Sequence, residues 1–408
     1  MRAAIINTVI GTGSIGRISC GTADEVIANG GEVLLCRGRG EEIPGYDNYR
    51  IGSDADMACH GVLTRITDRH GLYSKAATKR LIRRLQEYDP DVIQLHNVHG
   101  YYVNYPLLFS WLKICGSHIV WTLHDCWAFT GHCAHFEYCG CDKWENGGCF
   151  DCPEKNEYPA SYMRDASKTN FALKKESFTG VPDLHLVTPS EWLKETVSRS
   201  FLSDYPVKVI NTGIDLNIFR PRRGEYDIRK QYDIGDRTII LGVANPWRET
   251  KGMYDFAALY EMLEDKHPGE FCVAMIGLKP SQMDRLPEGI IKILHTDSVT
   301  ELAGWYSESD IYVNLTYGDT FPTTNLEAVA CGTPVITYNS GGSAETVTKD
   351  TGIVVEKTDL TGVMNAVTEM RGRLQTAGDA VGRACTEQAR KYAKLDKYKE
   401  YYELYQTI

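Results

Sequence analysis

The sequence predicts an α/β protein made of two parallel-sheet units. Three observations carry that prediction. Short β-branched apolar runs alternate with helix-length segments in both halves of the chain. Several runs stop at polar or glycine-rich turns that lead into a helix, the place where parallel α/β folds keep their sites. One stretch, residues 311–347, shows the whole pattern at once: strand, acidic loop, short helix, strand, glycine turn.

Within that stretch, Ile311–Thr316 is an apolar run of strand length, and Tyr317–Pro322 cannot extend it. Thr323 or Thr324 can cap a helix, and Gly332 followed by Pro334 stops it. Pro334–Tyr338 is the next strand, ended by Asn339 and the Gly341–Gly342 pair. The helix N-terminus turns free N–H groups toward whatever sits beyond the first strand, which suits an anion. Asp319 and Glu327 flank the same place. Carboxylates beside an anion site fit a ligand that also carries hydroxyl groups, because ionised carboxylates are acceptors only. A nucleotide sugar has both features.

The chain has 408 residues, 43% hydrophobic and 24% charged, enough for two domains with full cores. No apolar run reaches about 18 residues, so no transmembrane helix is expected. The first residues read as a strand and glycine loop, not a signal peptide. A net charge of −10 argues against nucleic acid as a partner. Thirteen cysteines without an export signal point to a reducing compartment, and to thiol or metal chemistry rather than a disulfide framework. The expected location is the cytoplasm.

In order along the chain, Ala3–Asn7 reads as a buried strand followed by Gly11-Thr12-Gly13-Ser14-Ile15-Gly16. This matches the dinucleotide fingerprint, but the strand reads as ending several residues early. The next strand, Glu32–Cys36, is followed by Arg37 rather than an acid. Arg37 suits NADP; a surface loop is the bland reading. The favoured reading is a donor-binding loop, with Gly13 and Gly16, that lets backbone approach a ligand in a cleft. Residues 62–85 carry seven Lys or Arg around Leu81, Ile82 and Leu85. They read as an amphipathic surface helix, or as a basic face docking on an anionic membrane. Asp91–Leu95 leads into His96, Asn97, His99 and Tyr101, and Ile119–Leu123 into His124. Three histidines past two strand ends predict a cleft role for His124 and acceptor binding for the 96–101 group; an H-x-x-H metal pair at His96 and His99 lacks further ligands. An insert of about residues 126–158 follows, with six cysteines inside 27 residues. Cys149-x-x-Cys152 with Cys141 and Cys133 (or Cys139) predicts a structural, non-catalytic zinc knuckle; packed free thiols or a redox pair are the alternatives.

A second unit is expected from about Leu186, giving domains at 1–185 and 186–385 and a terminal helix, 386–408, returning to the first. Leu186–Thr188 and Val207–Ile210 are its expected first strands. Ile239–Ala244 ends in a turn holding Arg248 and Lys251, placed to neutralise a diphosphate; a solvated charged loop is the alternative. Tyr398, Tyr401, Tyr402 and Tyr405 share one helix face, whose expected use is packing.

Several segments in this order resemble the family-4 nucleotide-sugar glycosyltransferases of the GT-B fold, especially the capsule and exopolysaccharide branch: GTGSIGRI, DRHGLYSK, DVIQLHNVHGYYVN, VWTLHDCWAFTGHC, TPSEWL, NTGID, ILGVANPW…KG and DTFPTTNLEAVACGTPV…GGSAE. The resemblance spans essentially the whole chain. It implies two Rossmann-like domains facing across a cleft and sugar transfer with retention, without a covalent intermediate; no D-x-D motif stands ready to hold a metal on the diphosphate, so no catalytic metal is expected. The donor would be a UDP- or GDP-sugar and the acceptor a saccharide or lipid-linked oligosaccharide. A peripheral contact at the inner face of the plasma membrane would suit such an acceptor. It implies that Glu327 accepts from the ribose, and that Asp319 and the Phe321, Pro322, Thr323 and Thr324 backbone face the donor sugar. Lys251 would meet the diphosphate, and His124 would stand near the reacting carbon. Asp319 stands where Glu is more widespread, and Pro322 where glycine is common. Asn245 and Pro246 stand where an arginine usually precedes the lysine, so Arg248 is expected to serve instead. A nucleotide-sugar epimerase on the same fold and, less well, an NADP-dependent oxidoreductase are the competing classes.

Overall fold

The computed structural model describes residues 1–408. The chain forms two compact units: Met1–Thr212 with Leu395–Ile408, and Gly213–Lys394. Each is built on one all-parallel sheet.

The first sheet uses β1 (Arg2–Val9), β2 (Glu32–Arg39), β3 (Asp47–Arg50), β4 (Val92–Leu95), β5 (His118–Thr122), β6 (Leu184–Thr188) and β7 (Val207–Val209). Their spatial order is β3-β2-β1-β4-β5-β6-β7. Side chains alternate across the pleat, so both faces are buried. Ala4, Ile6, Leu34, Ile93, Leu95 and Trp121 pack on one face. Ala3, Ile5, Leu35, Val92 and Val120 pack on the other, with Tyr398, Tyr401 and Tyr405 of the terminal helix Lys394–Thr407. Tyr405 donates to Gln94 Oε1 at 2.6 Å, which ties that helix to β4.

The second sheet uses β8 (Thr238–Val243), β9 (Phe271–Ile276), β10 (Ile291–Ile293), β11 (Ile311–Asn314), β12 (Val335–Tyr338) and β13 (Gly352–Val355), in the order β10-β9-β8-β11-β12-β13. Both sheets therefore reverse direction once, between β1 and β4 and between β8 and β11. In doubly wound sheets a crevice opens beyond the strand ends at that reversal.

Three expectations are corrected here. The first unit does not end at residue 185, because β6 hydrogen-bonds onto β5 and β7 onto β6, extending the first sheet. Likewise, the first unit regains the chain at Leu395 rather than at 386: helix Ala380–Arg390 packs into the second unit's core through Val381, Cys385 and Ala389. The basic stretch 62–85 is two helices, Asp54–Thr67 and Lys75–Tyr88, because Asp68 and Gly71 turn the chain in the left-handed region. Arg84 pairs with Asp47 at 2.5 Å, so its charge is not free for a partner, while Lys75, Lys79 and Arg83 stay exposed.

The helix Asp54–Thr67 begins with a reciprocal cap. Ser53 Oγ accepts from the Asp56 N–H at 3.2 Å, and Asp56 accepts from the Ser53 N–H at 2.9 Å. Ser53→Ala should lower stability by about 1 kcal/mol, read as a shift in urea midpoint at constant slope. An unshifted midpoint would show that the cap contributes nothing net.

Candidate active site

In the second unit the crevice between β8 and β11 holds a cavity of about 160 Å³. Asn245, Trp247 and Lys251 line it from the turn after β8, and Asp319, Pro322 and Thr324 from the loop after β11. Lys251 Nζ stands 2.8 Å from Asp319 Oδ2, with the two side chains 36% and 27% exposed. Two glycines make this approach of loops sterically allowed. Gly252 has φ 73°, and a Cβ there would lie 2.4 Å from the Leu315 carbonyl oxygen. Gly341 has φ 54°, and a Cβ there would lie 2.1 Å from the Asp319 carbonyl oxygen. Tyr317 stitches the two loops, its N–H donating to Thr250 O at 2.9 Å and its hydroxyl to Asp255 at 2.9 Å.

The helix Thr323–Ala330 starts at the cavity wall. Its cap is Pro322, not a threonine, and no side chain occupies the first-turn N–H groups as a cap. The Phe321 N–H donates to Asp319 Oδ1 at 3.2 Å, and the Phe321 ring is buried against Tyr392. Glu327 lies one turn along from Thr323, on the same face. It accepts from Tyr306 at 2.9 Å, so its carboxylate is held in place. Asn314 donates to Asn325, and Asn325 to Thr346, both at 2.8 Å, which fixes the helix to β11. Arg248 does not line the cavity. It is exposed at the turn and caps a 3-10 segment, while Asn245 and Trp247 point to the pocket instead.

The first unit has its own crevice, a cavity of about 480 Å³ between β1 and β4. β1 runs on to Val9, so the glycine turn follows the strand directly and helix Gly13–Ala28 starts within it. That removes the spacing objection to the fingerprint. Arg37, however, is buried and donates to Gly40 O and Asn48 Oδ1, both at 3.3 Å, so it cannot meet an NADP phosphate. Gly13, Gly16, Asn97 and His99 all line this one cavity, although the sequence assigned the glycines and the 96–101 group to different ligands. His96 and Tyr101 do not line it. His96 is fully buried and its Nδ1 meets His124 Nε2 at 3.0 Å, the rings stacked at 5.2 Å. Burial pushes His124 down to about 4, so its imidazole is neutral near pH 7. Tyr101 packs on His70 at 4.7 Å. His96 and His99 have different neighbours and do not form a metal pair.

In the insert, the neighbouring Cys133 and Cys152 thiols influence each other, which brings Cys152 down to about 7 and raises Cys133. Cys149 Sγ accepts from the Gly131 N–H at 3.0 Å. No group of three or more His, Cys, Asp or Glu side chains is arranged to hold a metal ion, so Cys133, Cys141, Cys149 and Cys152 do not fit a zinc knuckle as they stand. Polar anchors hold the insert instead. Lys174 Nζ donates to Trp127 O at 2.6 Å and Thr130 O at 3.0 Å, and His132 Nδ1 is hydrogen-bonded to buried Asp68. The sequence pattern carried no local signal for Tyr306, Lys174 or Asp68, since each acts on residues far along the chain.

Comparison with known proteins agrees with this architecture. A family model described as Glycosyltransferase Family 4 matches residues 20–218, and one described as Glycosyl transferases group 1 matches residues 237–371. The fold resembles sucrose-phosphate synthase from Thermosynechococcus elongatus, with TM-score 0.72, 16% identity and 100% and 98% of the two chains covered. It also resembles Anabaena HepE in complex with UDP-glucose, with TM-score 0.68, 13% identity and full coverage of both chains. The fold is thus the GT-B fold, two parallel-sheet α/β domains. Among sequence relatives, the putative colanic acid biosynthesis glycosyl transferase WcaC of Escherichia coli is 24% identical over 66% of this chain and 65% of its own length. A D-inositol 3-phosphate glycosyltransferase of Corynebacterium jeikeium is 22% identical over 67% and 64%. The chain thus spans just under two thirds of the length of these relatives. No helix is long and apolar enough to cross a membrane.

Proposed function

We propose that the protein moves a sugar from a nucleotide-diphosphate sugar to a saccharide or lipid-linked acceptor, with retention, in surface polysaccharide biosynthesis. The observation that carries the reading is the crevice after β8 and β11, where Lys251, the Asp319 carboxylate and a helix N-terminus without a side-chain cap converge, with Glu327 one turn further along that helix. Lys251 and the first-turn N–H groups stabilise charge growing on a leaving diphosphate. An ammonium has three donors, so Lys251 serves a phosphate oxygen and Asp319 together and shields one from the other. The same carboxylate accepts from a sugar hydroxyl. Glu327, oriented by Tyr306, accepts from the ribose. Structural neighbours in complex with UDP and UDP-glucose favour a uridine donor. The exposed Lys75, Lys79 and Arg83 supply a basic face for contact with an anionic membrane.

Calorimetry with UDP tests the donor site. Glu327→Gln should weaken binding roughly tenfold, about 1.4 kcal/mol, as for loss of a hydrogen bond to a charged group. Unchanged affinity would remove Glu327 from the site. Incubation of the donor without acceptor separates transfer from epimerisation, because an epimerase would release an altered sugar.

A further inference from the structure

The cavity of the first unit has a wall that neither the glycine loop nor β4 provides. It is Tyr158, which the cysteine-rich insert carries back to the sheet. Its hydroxyl meets His99 Nδ1 at 2.9 Å. His99 Nε2 in turn lies 3.0 Å from Asp125 Oδ2, an electrostatic contact outside hydrogen-bond alignment. Burial works to raise the Asp125 pKa, but His99 outweighs it and brings the carboxyl to about 2, so Asp125 is ionised. The carboxylate favours a proton on Nε2 and leaves Nδ1 to accept from the Tyr158 hydroxyl. The Tyr158 ring is also fixed by edge contacts to His99 at 5.6 Å, His70 at 5.7 Å and Tyr101 at 6.3 Å. Even so, Tyr158 is 39% exposed. A tyrosine whose hydroxyl is tied down and whose ring is held by three neighbours, yet open to a cavity, is a rigid platform.

The rest of the lining says what the platform is for. Thr8, Thr12, Ser14 and Asn97 supply neutral polar groups, Arg39 supplies one cation, and no carboxylate faces the cavity. Thr12 makes no side-chain cap bond to the helix it precedes, so its hydroxyl is not spent there. Neutral donors and acceptors around one aromatic ring suit a pyranose, whose C–H face stacks on the ring while its hydroxyls exchange hydrogen bonds. The size is that of a small-molecule site.

We propose that this cavity binds a sugar ring, neutral or anionic, and that Tyr158 is its specificity-determining platform, with His99 and Asp125 as positioning residues. The inference rests on the glycosyltransferase reading for its ligand class but on separate residues. The ring could belong to an acceptor or to a nucleotide sugar, and the test separates the two. Saturation-transfer NMR of the whole protein would be run with methyl β-D-glucopyranoside, methyl β-D-glucuronide and, in a separate arm, UDP-glucose against UDP. Transfer to the methyl glycosides assigns the cavity to a free saccharide. Transfer to the glucose protons of UDP-glucose alone assigns it to the donor sugar. In either case Tyr158→Leu should reduce the sugar signal at least tenfold at an unchanged thermal midpoint. Tyr158→Phe and His99→Gln, which keep the ring but untie it, should reduce it two- to threefold and change which sugar protons are saturated. A wild-type sugar signal in Tyr158→Leu, or no sugar signal from any probe in the wild type, overturns the proposal. UDP binding without a sugar signal would sink this proposal alone. A glycoside signal without UDP binding would sink the donor-site reading alone.

Discussion

Lys251→Ala is expected to lower kcat/KM for sugar transfer by about 2–4 kcal/mol, roughly 30- to 1000-fold, while leaving the fold intact. The reasoning starts from charge. A nucleoside diphosphate leaves with growing negative charge, and removal of one preorganised donor to such charge costs about that much. Lys251 is the cation that lines the second-unit cavity, and its place is set by the close packing of Gly252 on Leu315. Its loss has a second consequence. Asp319, 2.8 Å away, would face an anionic ligand without the ammonium between them, so repulsion adds to the lost attraction. Stability should change little, because an ion pair of partly exposed groups contributes at most about 1 kcal/mol. The measurement is steady-state transfer with a donor chosen by thermal-shift screening of UDP-, GDP- and ADP-sugars, beside a thermal melt. Lys251→Arg should recover only part of the rate, since a planar guanidinium cannot bridge the same two oxygens as a compact ammonium. Wild-type turnover in Lys251→Ala would sink the diphosphate role.

The contrast between Lys251 and Arg248 shows what a sequence can and cannot disclose. Both are cations in one strand-to-helix turn, and spacing alone treats them alike. The turn is three residues of 3-10 helix closed by a left-handed glycine, and this sends Lys251 into the crevice and leaves Arg248 outside. The alternation of strands and helices was legible, and with it both crevices, because parallel sheets place loops of the same kind at the same end. Sheet membership was not legible. Leu184–Thr188 and Val207–Val209 look like any other short strands, and only the hydrogen bonding of the first to β5 and of the second to the first assigns them to the first unit. Long-range partners were equally hidden. Glu327 was visible as an acid after a helix start, whereas the Tyr306 hydroxyl that orients it comes from the preceding helix. Cysteine spacing suggested a metal knuckle, but spacing says nothing of where each Sγ points. The insert is instead anchored by a lysine and a histidine–aspartate pair whose partners lie tens of residues away.

That lysine should make stability depend on pH in a direction that can be worked out. Lys174 is 1% exposed, and its ammonium lies 3.5 Å over the Trp127 ring while donating to two carbonyls. Burial pushes its pKa down to about 7; nearby Cys149, Cys133, Asp125 and Asp68 offset part of that fall. In the unfolded chain a lysine titrates near 10.4. Below pH 7 both states hold the proton, and folding bears the full cost of burying the charge. Above pH 7 the folded state gives the proton up while the unfolded state keeps it, so stability rises with pH by up to about 1.4 kcal/mol per unit. Over pH 7–8.5 the effect is read as the difference between wild type and variant, because Cys152, at about 7 in the fold, and the unfolded chain's thiols also titrate there, and the raised folded values at Cys149 and Cys36 work in the opposite sense. Across that window the wild type should gain about 2 kcal/mol from this group. Lys174→Met keeps the length, removes the titration and leaves the Trp127 and Thr130 carbonyls without their donor. It should therefore lose that rise and fall progressively behind the wild type as pH increases, by about 2–5 kcal/mol at pH 8.5. Urea midpoints at half-unit steps measure both slopes. Parallel slopes would mean that Lys174 keeps its proton throughout, and that the two carbonyls and the Trp127 face hold the charge more firmly than its burial opposes it.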